Sequence, residues 1–257
     1  MPICLPSFVG IVAPASGTPF TNQYSVSLDG TDDFIDVGTV SDLNGSISSV
    51  TISAWFNVSA FGDAVISGGS SGSDRFYMQI YNSTTIRYGS GLGFDDFIVP
   101  TLSTGTWYHV ALVHNGTSAA LYLNNSQSSS GSQVVESPTA NYGSSLKIGS
   151  YFSGSNYFQG LLDEVAVFDS ALSASNITSI YNSGVPSNIS SLNPVGWWRM
   201  GDGSDGSGNA DGTVVGGLPQ IYNVAEDGSG NRITGIDGSL TNIASPNGIV
   251  SGTGKTP

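Results

Sequence analysis

Residues 107–125 read WYHVALVHNGTSAALYLNN, two alternating runs of side chains joined at Asn115-Gly116. Asn-Gly favours a tight turn between antiparallel strands, so this stretch predicts a β-hairpin. The same period of two recurs upstream in residues 50–58, VTISAWFNV. There one face is predicted to carry Val50, Ile52, Ala54, Phe56 and Val58, with Trp55 opposite. Both stretches are therefore predicted to be strands.

Further alternating runs lie on both sides of these two: YSVSL (24–28), RFYMQIY (75–81), SLKIGS (145–150) and LLDEVAVFD (161–169). In the last run, Leu161, Val165 and Val167 are predicted to face one way. The stretch 172–184, LSASNITSIYNSG, instead places Ile177, Ile180 and Tyr181 on one side of a helix. Ser173 can cap it and Gly184 can end it, which predicts a helix near 174–182.

The composition agrees with an all-β fold. The chain has 257 residues, of which 39% are hydrophobic and 10% charged, and it contains 35 glycines. A soluble domain usually has about 25% charged residues. The polar surface must therefore come from Ser, Thr, Asn and Gly, which suit strands and turns better than helices.

The charge balance argues against two classes of partner. The formal net charge is −13, and only six residues are Lys or Arg. Nucleic acid and anionic membranes both require several basic contacts, so neither is expected as a partner. No apolar run is long enough for membrane insertion. The single cysteine, Cys4, leaves no internal disulfide.

Three segments are predicted from shifts in composition. Residues 1–23 lack the basic start of a signal peptide and are interpreted as an N-terminal arm. Residues 24–192 form the sandwich. Residues 193–257 contain VGWWRMGDG (195–203), whose tryptophans are expected to join a strand to the sandwich, followed by a loop-rich Gly/Asp/Asn tail. We expect the arm and about 218–257 to be poorly ordered in an isolated monomer.

Four motifs resemble those of a known family. They are SVSLDGTDDFIDVG (25–38), VTISAWFNV, the hairpin, and LKIGS followed by FQGLLDEVAVFDSALSASNITSIYNSG (158–184). Together they resemble the laminin-G-like, concanavalin-A-like jelly-roll superfamily, which includes pentraxins. The resemblance implies a two-sheet antiparallel jelly-roll sandwich with one short helix and the Gly/Asp/Asn-rich C-terminal extension.

The C-terminal segment has its own resemblance. GWWRMGDG and DGSLTN (237–242) resemble segments of laminin-G-like structural proteins of marine bacteriophages. In such proteins a segment of this kind commonly precedes the domain, whereas here it follows. The order suits either a permuted sheet closed by the tryptophan strand or the start of a truncated second repeat.

Calcium is the cofactor that the residues favour. The turn DGTDDFID (29–36) supplies several carboxylates, and hard Ca²⁺ takes six to eight oxygen ligands. The predicted metal ligands are Asp29, Asp32, Asp33 and Asp163. The family resemblance implies that Asp33 and Asp163 share one structural ion. The alternative is a solvated Asp-rich turn with a strand Asp that accepts backbone hydrogen bonds.

Aromatic residues supply the candidate ligand site. Tyr151, Phe152, Tyr157 and Phe158 cluster in the predicted loop YFSGSNYFQG, and Phe94 and Phe97 lie in GLGFDDF. Exposed loop aromatics with polar neighbours suit stacking against sugars. The alternative is that they close the ends of the sandwich or are buried between subunits.

Catalysis is not indicated. Glycosidases need a pair of carboxylates, and Asp163 and Asp169 would lie about 20 Å apart on a straight strand. His109 and His114, five residues apart on one strand, must face opposite sides. Both are predicted to be structural.

Three functions remain open. The first is a non-enzymatic virion structural protein, such as a capsid decoration, fibre or appendage component. It would lie on the virion surface and contact other virion proteins, identical subunits or cell-surface glycans. The alternative is a secreted or surface-displayed bacterial module that binds carbohydrate with calcium. A divergent glycoside hydrolase is the third.

Overall fold

The computed structural model describes residues 22, 24–43, 49–69, 75–91, 93–130, 146–200, 213–215 and 220–223. Its strands in chain order are β1 (Tyr24–Asp29), β2 (Phe34–Gly38), β3 (Val50–Val58), β4 (Asp63–Gly68), β5 (Phe76–Asn82), β6 (Thr85–Ser90), β7 (Gly93–Ile98), β8 (Tyr108–His114), β9 (Ala119–Leu123), β10 (Ser126–Gln127), β11 (Ser129–Ser130), β12 (Leu146–Ile148), β13 (Gln159–Phe168), β14 (Gly196–Trp198), β15 (Thr213–Val215) and β16 (Gln220–Asn223). The helix α1 spans Ala174–Tyr181, and 3-10 turns occupy Ser41–Leu43, Asn182–Gly184 and Ser190–Leu192.

The strands form two antiparallel sheets. The first has the order β10-β9-β8-β3-β13-β1-β16, with β14 also beside β13, and the second has the order β11-β7-β6-β5-β4-β12-β2-β15. β8 and β9 are joined through residues 115–118, where the Asn115 side chain accepts hydrogen bonds from the backbone N–H groups of Thr117 and Ser118. The predicted all-β jelly-roll sandwich and its central hairpin are confirmed.

The core lies between the two sheets and follows the predicted alternation. The five apolar residues of β3 and the inward residues Phe76, Met78 and Ile80 of β5 are fully buried in it. A second apolar cluster covers the outer face of the first sheet, where Ile177 and Ile180 of α1 pack with Phe168 and Trp197. All nine residues of β3 are therefore buried, because both faces of this strand are covered.

The helix begins as the sequence predicts and ends differently. The Ser173 hydroxyl accepts a hydrogen bond from the Asn176 N–H, which caps the first turn. Asn182, with φ 43° in the left-handed region, ends α1, and Gly184 ends only the following 3-10 turn. The predicted role of Gly184 is wrong because Asn also tolerates the left-handed conformation that stops a helix.

A bulge in β13 overturns one predicted face. Asp163 lies opposite Trp55, and the next paired residue, Ala166, lies opposite Ser53, so β13 carries one extra residue there. Glu164 has φ 48° at this point. The bulge shifts the alternation, so Leu162 shares the core with Val165 and Val167 in place of Leu161. A strict period of two cannot show such an insertion.

The C-terminal segment adds strands to both sheets. β14 pairs with β13 beyond the end of β1, β16 pairs with β1, and β15 pairs with β2. Of its two tryptophans, Trp197 packs under α1 and Trp198 enters the core between the sheets. The described part thus joins the same sandwich, while the division into three segments stays a prediction.

Some of the predictions concern residues that the structure does not describe. The arm 1–23, except residue 22, and most of 218–257 lie outside the described residues. Within the described ranges, no helix has both the length and the apolarity needed to cross a bilayer.

Candidate functional site

A row of side chains crosses the outer face of the second sheet. Cross-strand pairing places in one line Phe94 (β7), Gly89 (β6), Tyr77 (β5), Ser67 (β4), Lys147 (β12) and Asp36 (β2). Directly opposite residues of an antiparallel pair share a face. At about 4.8 Å between strands, the line measures about 19 Å from β7 to β12.

Four side chains form one end of the site. The Arg75 guanidinium lies 5.9 Å from the Tyr77 ring centre and 5.7 Å from that of Phe152. The Tyr77 and Tyr151 rings meet edge to face at 4.8 Å, and the Tyr151 and Phe152 rings lie 4.2 Å apart. Arg75 donates hydrogen bonds from Nε to the Gly91 carbonyl and from Nη1 to the Tyr151 hydroxyl. These contacts hold a cation among three rings.

Gly89 allows the Tyr77 ring to lie across the sheet. A Cβ atom at position 89 would lie 2.1 Å from Cε1 of Tyr77, which no real side chain permits. Burial raises the pKa of Tyr77 to about 12, and burial also raises the pKa of Tyr151. Both phenols therefore keep their protons at neutral pH and remain hydrogen-bond donors.

A second group continues the row on β5, β6 and β7. The Arg87 guanidinium lies 3.9 Å from the Tyr81 ring centre and 4.2 Å from that of Phe94. Asp96 accepts two hydrogen bonds from Arg87, at 2.7 and 2.9 Å, which raises the pKa of Arg87. Tyr81 is 42% and Phe94 38% exposed, so their rings are open to solvent.

We call the combined surface the aromatic strip; it consists of Arg75, Tyr77, Tyr81, Arg87, Phe94, Tyr151 and Phe152. It brings together two of the four predicted ligand residues. Tyr157 lies farther along, 6.1 Å from the Phe34 ring, which also lies under the Lys147 ammonium. Phe158 is fully buried in the core. Its prediction as a ligand residue is wrong, because it fills the space between the sheets.

The acidic turn brings three of the four predicted metal ligands together. One carboxylate oxygen of each of Asp29, Asp32 and Asp33 lies within 4.8 Å of the others. Asp33 is 4% exposed, and its Oδ1 has no hydrogen-bond partner among the described residues. Burial, then the neighbouring Asp29 charge, raises the pKa of Asp33. A divalent cation would satisfy the buried oxygen and offset the repulsion between carboxylates.

Asp163 lies elsewhere. Asp29 pairs with Gln159 in the β1–β13 register, so Asp163 is four residues farther along β13, about 13 Å away. Its carboxylate accepts hydrogen bonds from the Asn22 side chain and the Glu164 N–H. The register therefore separates Asp163 from the acidic turn. The family resemblance implies that Asp33 and Asp163 share one ion, and the structure corrects this expectation. The order of the motifs in the sequence does not show the distance between the two residues, whereas the pairing of β1 with β13 does.

The sequence of the chain matches a known family. The family model Laminin_G_3, described as the concanavalin A-like lectin/glucanases superfamily, matches residues 29–178. The chain belongs to this superfamily. None of the curated proteins matches the chain.

Solved structures of the concanavalin A-like fold resemble the chain at low identity. A candidate carbohydrate-binding protein from Bacteroides ovatus superposes with a TM-score of 0.61 at 19% identity, over 80% of this chain and 61% of that one. A heptameric pentraxin from Limulus polyphemus gives 0.49 at 16% identity, over 76% and 95%. Domain 4 of an extracellular arabinanase from Geobacillus stearothermophilus, in complex with arabinotriose, gives 0.49 at 19%, over 61% and 75%. The chain thus spans 61% of the length of the Bacteroides ovatus protein.

The histidines of this concanavalin A-like domain lie on opposite faces of β8. His109 faces outward, where its Nε2 lies 2.9 Å from the Ser53 hydroxyl and its ring packs against Trp55 and Tyr181. His114 faces inward and lies near Tyr88. Burial lowers the pKa of His109 to about 3 and that of His114 to about 4. A neutral, fully buried His109 cannot serve Ser53 as a base toward an external substrate.

These two histidines make stability depend on pH. The folded chain resists protonation until about pH 4 or below, whereas the unfolded chain binds protons from about pH 6.5 downward. Stability is therefore complete above pH 6.5 and falls with acidification, by about 1.4 kcal/mol per pH unit for each histidine. Urea unfolding at pH 7.5 and 5.0 checks this. The loss between the two pH values should shrink in His109→Phe, and an equal loss would contradict the assignment.

Sequence reasoning missed the arginines of the strip. Arg75 begins the run RFYMQIY, whose polar face the alternation does show, and Arg87 follows one hairpin later. The sequence predicts Phe94 and Phe97 as loop aromatics, but both lie in β7, where Phe97 is buried and Phe94 is exposed. The alternation in β5 is the sequence signal that could have identified the outward-facing Arg75. The residues beside it on neighbouring strands can be identified only from the strand register.

Proposed function

We propose that this chain is a non-catalytic carbohydrate-binding module whose aromatic strip binds an extended saccharide outside the cell. The single observation that carries the proposal is that two groups of rings and guanidiniums lie on neighbouring strands of the outer face of the second sheet. Phe152, Tyr151, Phe94 and Tyr81 offer flat apolar surfaces, and the phenols and guanidiniums offer hydrogen-bond donors. Sugars present apolar C–H faces and hydroxyl rims, which suit such a surface.

The alternatives receive less support. Superfamily membership and the fold shared with a candidate carbohydrate-binding protein favour the binding module over a virion structural protein. The virion role, with its virion partners and location, stays a prediction. A module of this kind on a particle surface would use the same strip toward host glycans.

The carboxylates Asp96 and Asp36, which lie on the same face as the strip, do not suit hydrolysis. Asp96 is engaged by Arg87, and Asp36 lies five strands away on the same face. That separation is about 24 Å, whereas glycosidase carboxylate pairs lie about 5 to 9.5 Å apart. This spacing supports the non-catalytic assignment.

Binding to an array of plant, algal, bacterial and animal polysaccharides tests the proposal. We expect the wild-type chain to bind at least one class, and Phe152→Ala to lose at least about tenfold in affinity, because truncating a central aromatic anchor costs on the order of 2 kcal/mol. Val185→Ser is the matched control, since Val185 is 50% exposed beyond α1, away from the strip. Failure to bind any polysaccharide, or equal loss in both variants, would refute the proposal.

We also propose that the acidic turn binds calcium as a structural ion, with Asp29, Asp32 and Asp33 as ligands. The buried unpartnered oxygen of Asp33 supports this. The ion would fix the β1–β2 turn and would take no part in contact with the saccharide.

Calcium removal should lower the melting temperature. An ion at a hundred times its dissociation constant stabilises the folded state by about 2.7 kcal/mol. EDTA should therefore destabilise the wild type and the control Asp42→Asn, an exposed acid outside the cluster, but leave Asp33→Ala unchanged. Scanning calorimetry before and after chelation makes the comparison. An unchanged wild-type melt after verified metal removal would favour the solvated turn.

A further inference from the structure

The sheet face that carries the aromatic strip is rich in positive charge. The chain has a net charge of −13 and only six basic residues, yet Arg75, Arg87 and Lys147 all lie on the outer face of the second sheet. A saccharide that carries negative charge would be repelled by most of this protein. Half of the chain's basic residues are gathered on the face that we propose binds saccharide.

The three cations differ in how their charge is balanced. Asp96 neutralises Arg87 through two hydrogen bonds. Among the described residues, no carboxylate lies within ion-pair distance of Arg75 or Lys147. Their polar contacts are uncharged: the Gly91 carbonyl and Tyr151 hydroxyl for Arg75, and the Phe152 carbonyl for Lys147. Asp36 lies opposite Lys147 on β2, but it accepts a hydrogen bond from the Gly38 N–H and forms no ion pair with Lys147 among the described residues. Arg75 and Lys147 therefore keep charge available for a ligand.

Arg75 and Lys147 both lie close to Phe152. The Arg75 guanidinium lies 5.7 Å from its ring centre, and the Lys147 ammonium lies 3.4 Å from its carbonyl oxygen. Arg75, Lys147, Tyr151 and Phe152 are all half-exposed. One sugar ring on Phe152 would thus lie close to both cations.

The contacts of Arg75 fix its guanidinium and leave N–H groups that an oxyanion can accept hydrogen bonds from. Its Nε and Nη1 atoms are used by Gly91 and Tyr151, and no described residue accepts a hydrogen bond from Nη2. The guanidinium is fixed by these bonds and by the rings of Tyr77 and Phe152. A fixed guanidinium loses little freedom on binding and recognises planar or tetrahedral oxyanions through several N–H groups.

We propose that this end of the strip binds the acidic group of an anionic saccharide, with Arg75 and Lys147 as its counter-charges and Phe152 under the sugar ring. This inference rests on the proposed function and specifies its ligand class. The acidic group is an oxyanion, the carboxylate of a sugar acid or a sulfate ester. Neutral parts of the chain would extend toward Phe94 and Tyr81.

Paired polysaccharides test the inference. Polygalacturonate and its methyl ester differ in the carboxylate, and a sulfated galactan and its desulfated form differ in the sulfate; sialylated and desialylated glycans complete the array. We expect the wild-type chain to prefer at least one acidic member of these pairs. Arg75→Gln and Lys147→Gln should each lower that affinity roughly ten- to hundredfold, the effect of losing one charge-assisted hydrogen bond.

Lys255→Gln is the control, because it removes one positive charge without changing any residue of the strip or Lys147. Binding to a neutral glycan that Phe152→Ala weakens and Arg75→Gln leaves intact would overturn this inference and leave the proposed function standing. Acidic binding that Lys255→Gln reduces as much as Arg75→Gln would also overturn it. No binding by the wild type refutes both. Melting curves of each variant establish that the loss is not unfolding.

Discussion

Glu164→Ala should destabilise the folded chain by about 3–5 kcal/mol, because it removes the carboxylate that joins three segments. Glu164 is 5% exposed, and its side chain accepts hydrogen bonds from the Trp197 indole and the Asn22 amide. Arg199 lies 3.5 Å from the same carboxylate. Removing the carboxylate takes one acceptor from the buried Trp197 indole and one counter-charge from the partly buried Arg199. Losing one partner of a buried charged contact is costlier than losing the pair.

The position of Glu164 explains why the cost is large. It occupies the bulge of β13, beside which the start of β1 and the end of β14 lie along the same side. Chemical denaturation measures the change. Asp169→Ala, an exposed acid just beyond β13, is the matched control and should change stability by less than about 0.5 kcal/mol. A Glu164→Ala chain as stable as Asp169→Ala would show that packing of the tryptophans alone holds β14.

Gly160→Ala should cost on the order of 4 kcal/mol or prevent folding. Gly160 lies in β13 opposite Val58, with φ 146°. A Cβ atom there would lie 2.1 Å from the backbone oxygen of Asn57. That oxygen belongs to the adjacent strand and cannot move without separating β13 from β3, so strain and steric clash add.

Gly105→Ala separates the two causes. Gly105 also has a positive φ, 73°, but no atom lies within 4 Å of its would-be Cβ. It should lose only about 1–2 kcal/mol, the cost of the left-handed backbone. Comparable losses in both variants would mean that backbone conformation, rather than the β13–β3 contact, makes Gly160 necessary.

The fold is predicted well from the sequence because alternate residues of a strand face the core, which produces a local pattern of apolar residues. The alternation in β3 and β5, the hairpin at Asn115 and the Ser173 cap are all local patterns. The bulge at Glu164 is not, because an inserted residue leaves the hydrophobic content of the run unchanged. The bulge puts Leu162 in the core in place of Leu161. It also places Glu164 at a position that no periodic pattern predicts.

The site is predicted less completely because it depends on which strands are neighbours. Tyr151 and Phe152 are visible as a polar-flanked aromatic pair, and the acidic turn is contiguous in sequence. Arg75 meets Phe152 only because the β4–β5 and β4–β12 pairings bring together residues about 75 positions apart. The same register removes Asp163 from the acidic turn, and burial removes Phe158 from the strip.

The position of a bound saccharide decides whether the aromatic strip is the binding surface. A crystal structure of the complex with the tightest-binding oligosaccharide from the array should show a sugar ring against Phe152 and Tyr151, its acidic group beside Arg75 and Lys147, and the chain directed toward Phe94. A saccharide bound at the Asp29–Asp33 turn or beside α1, with the aromatic strip empty, would contradict the account.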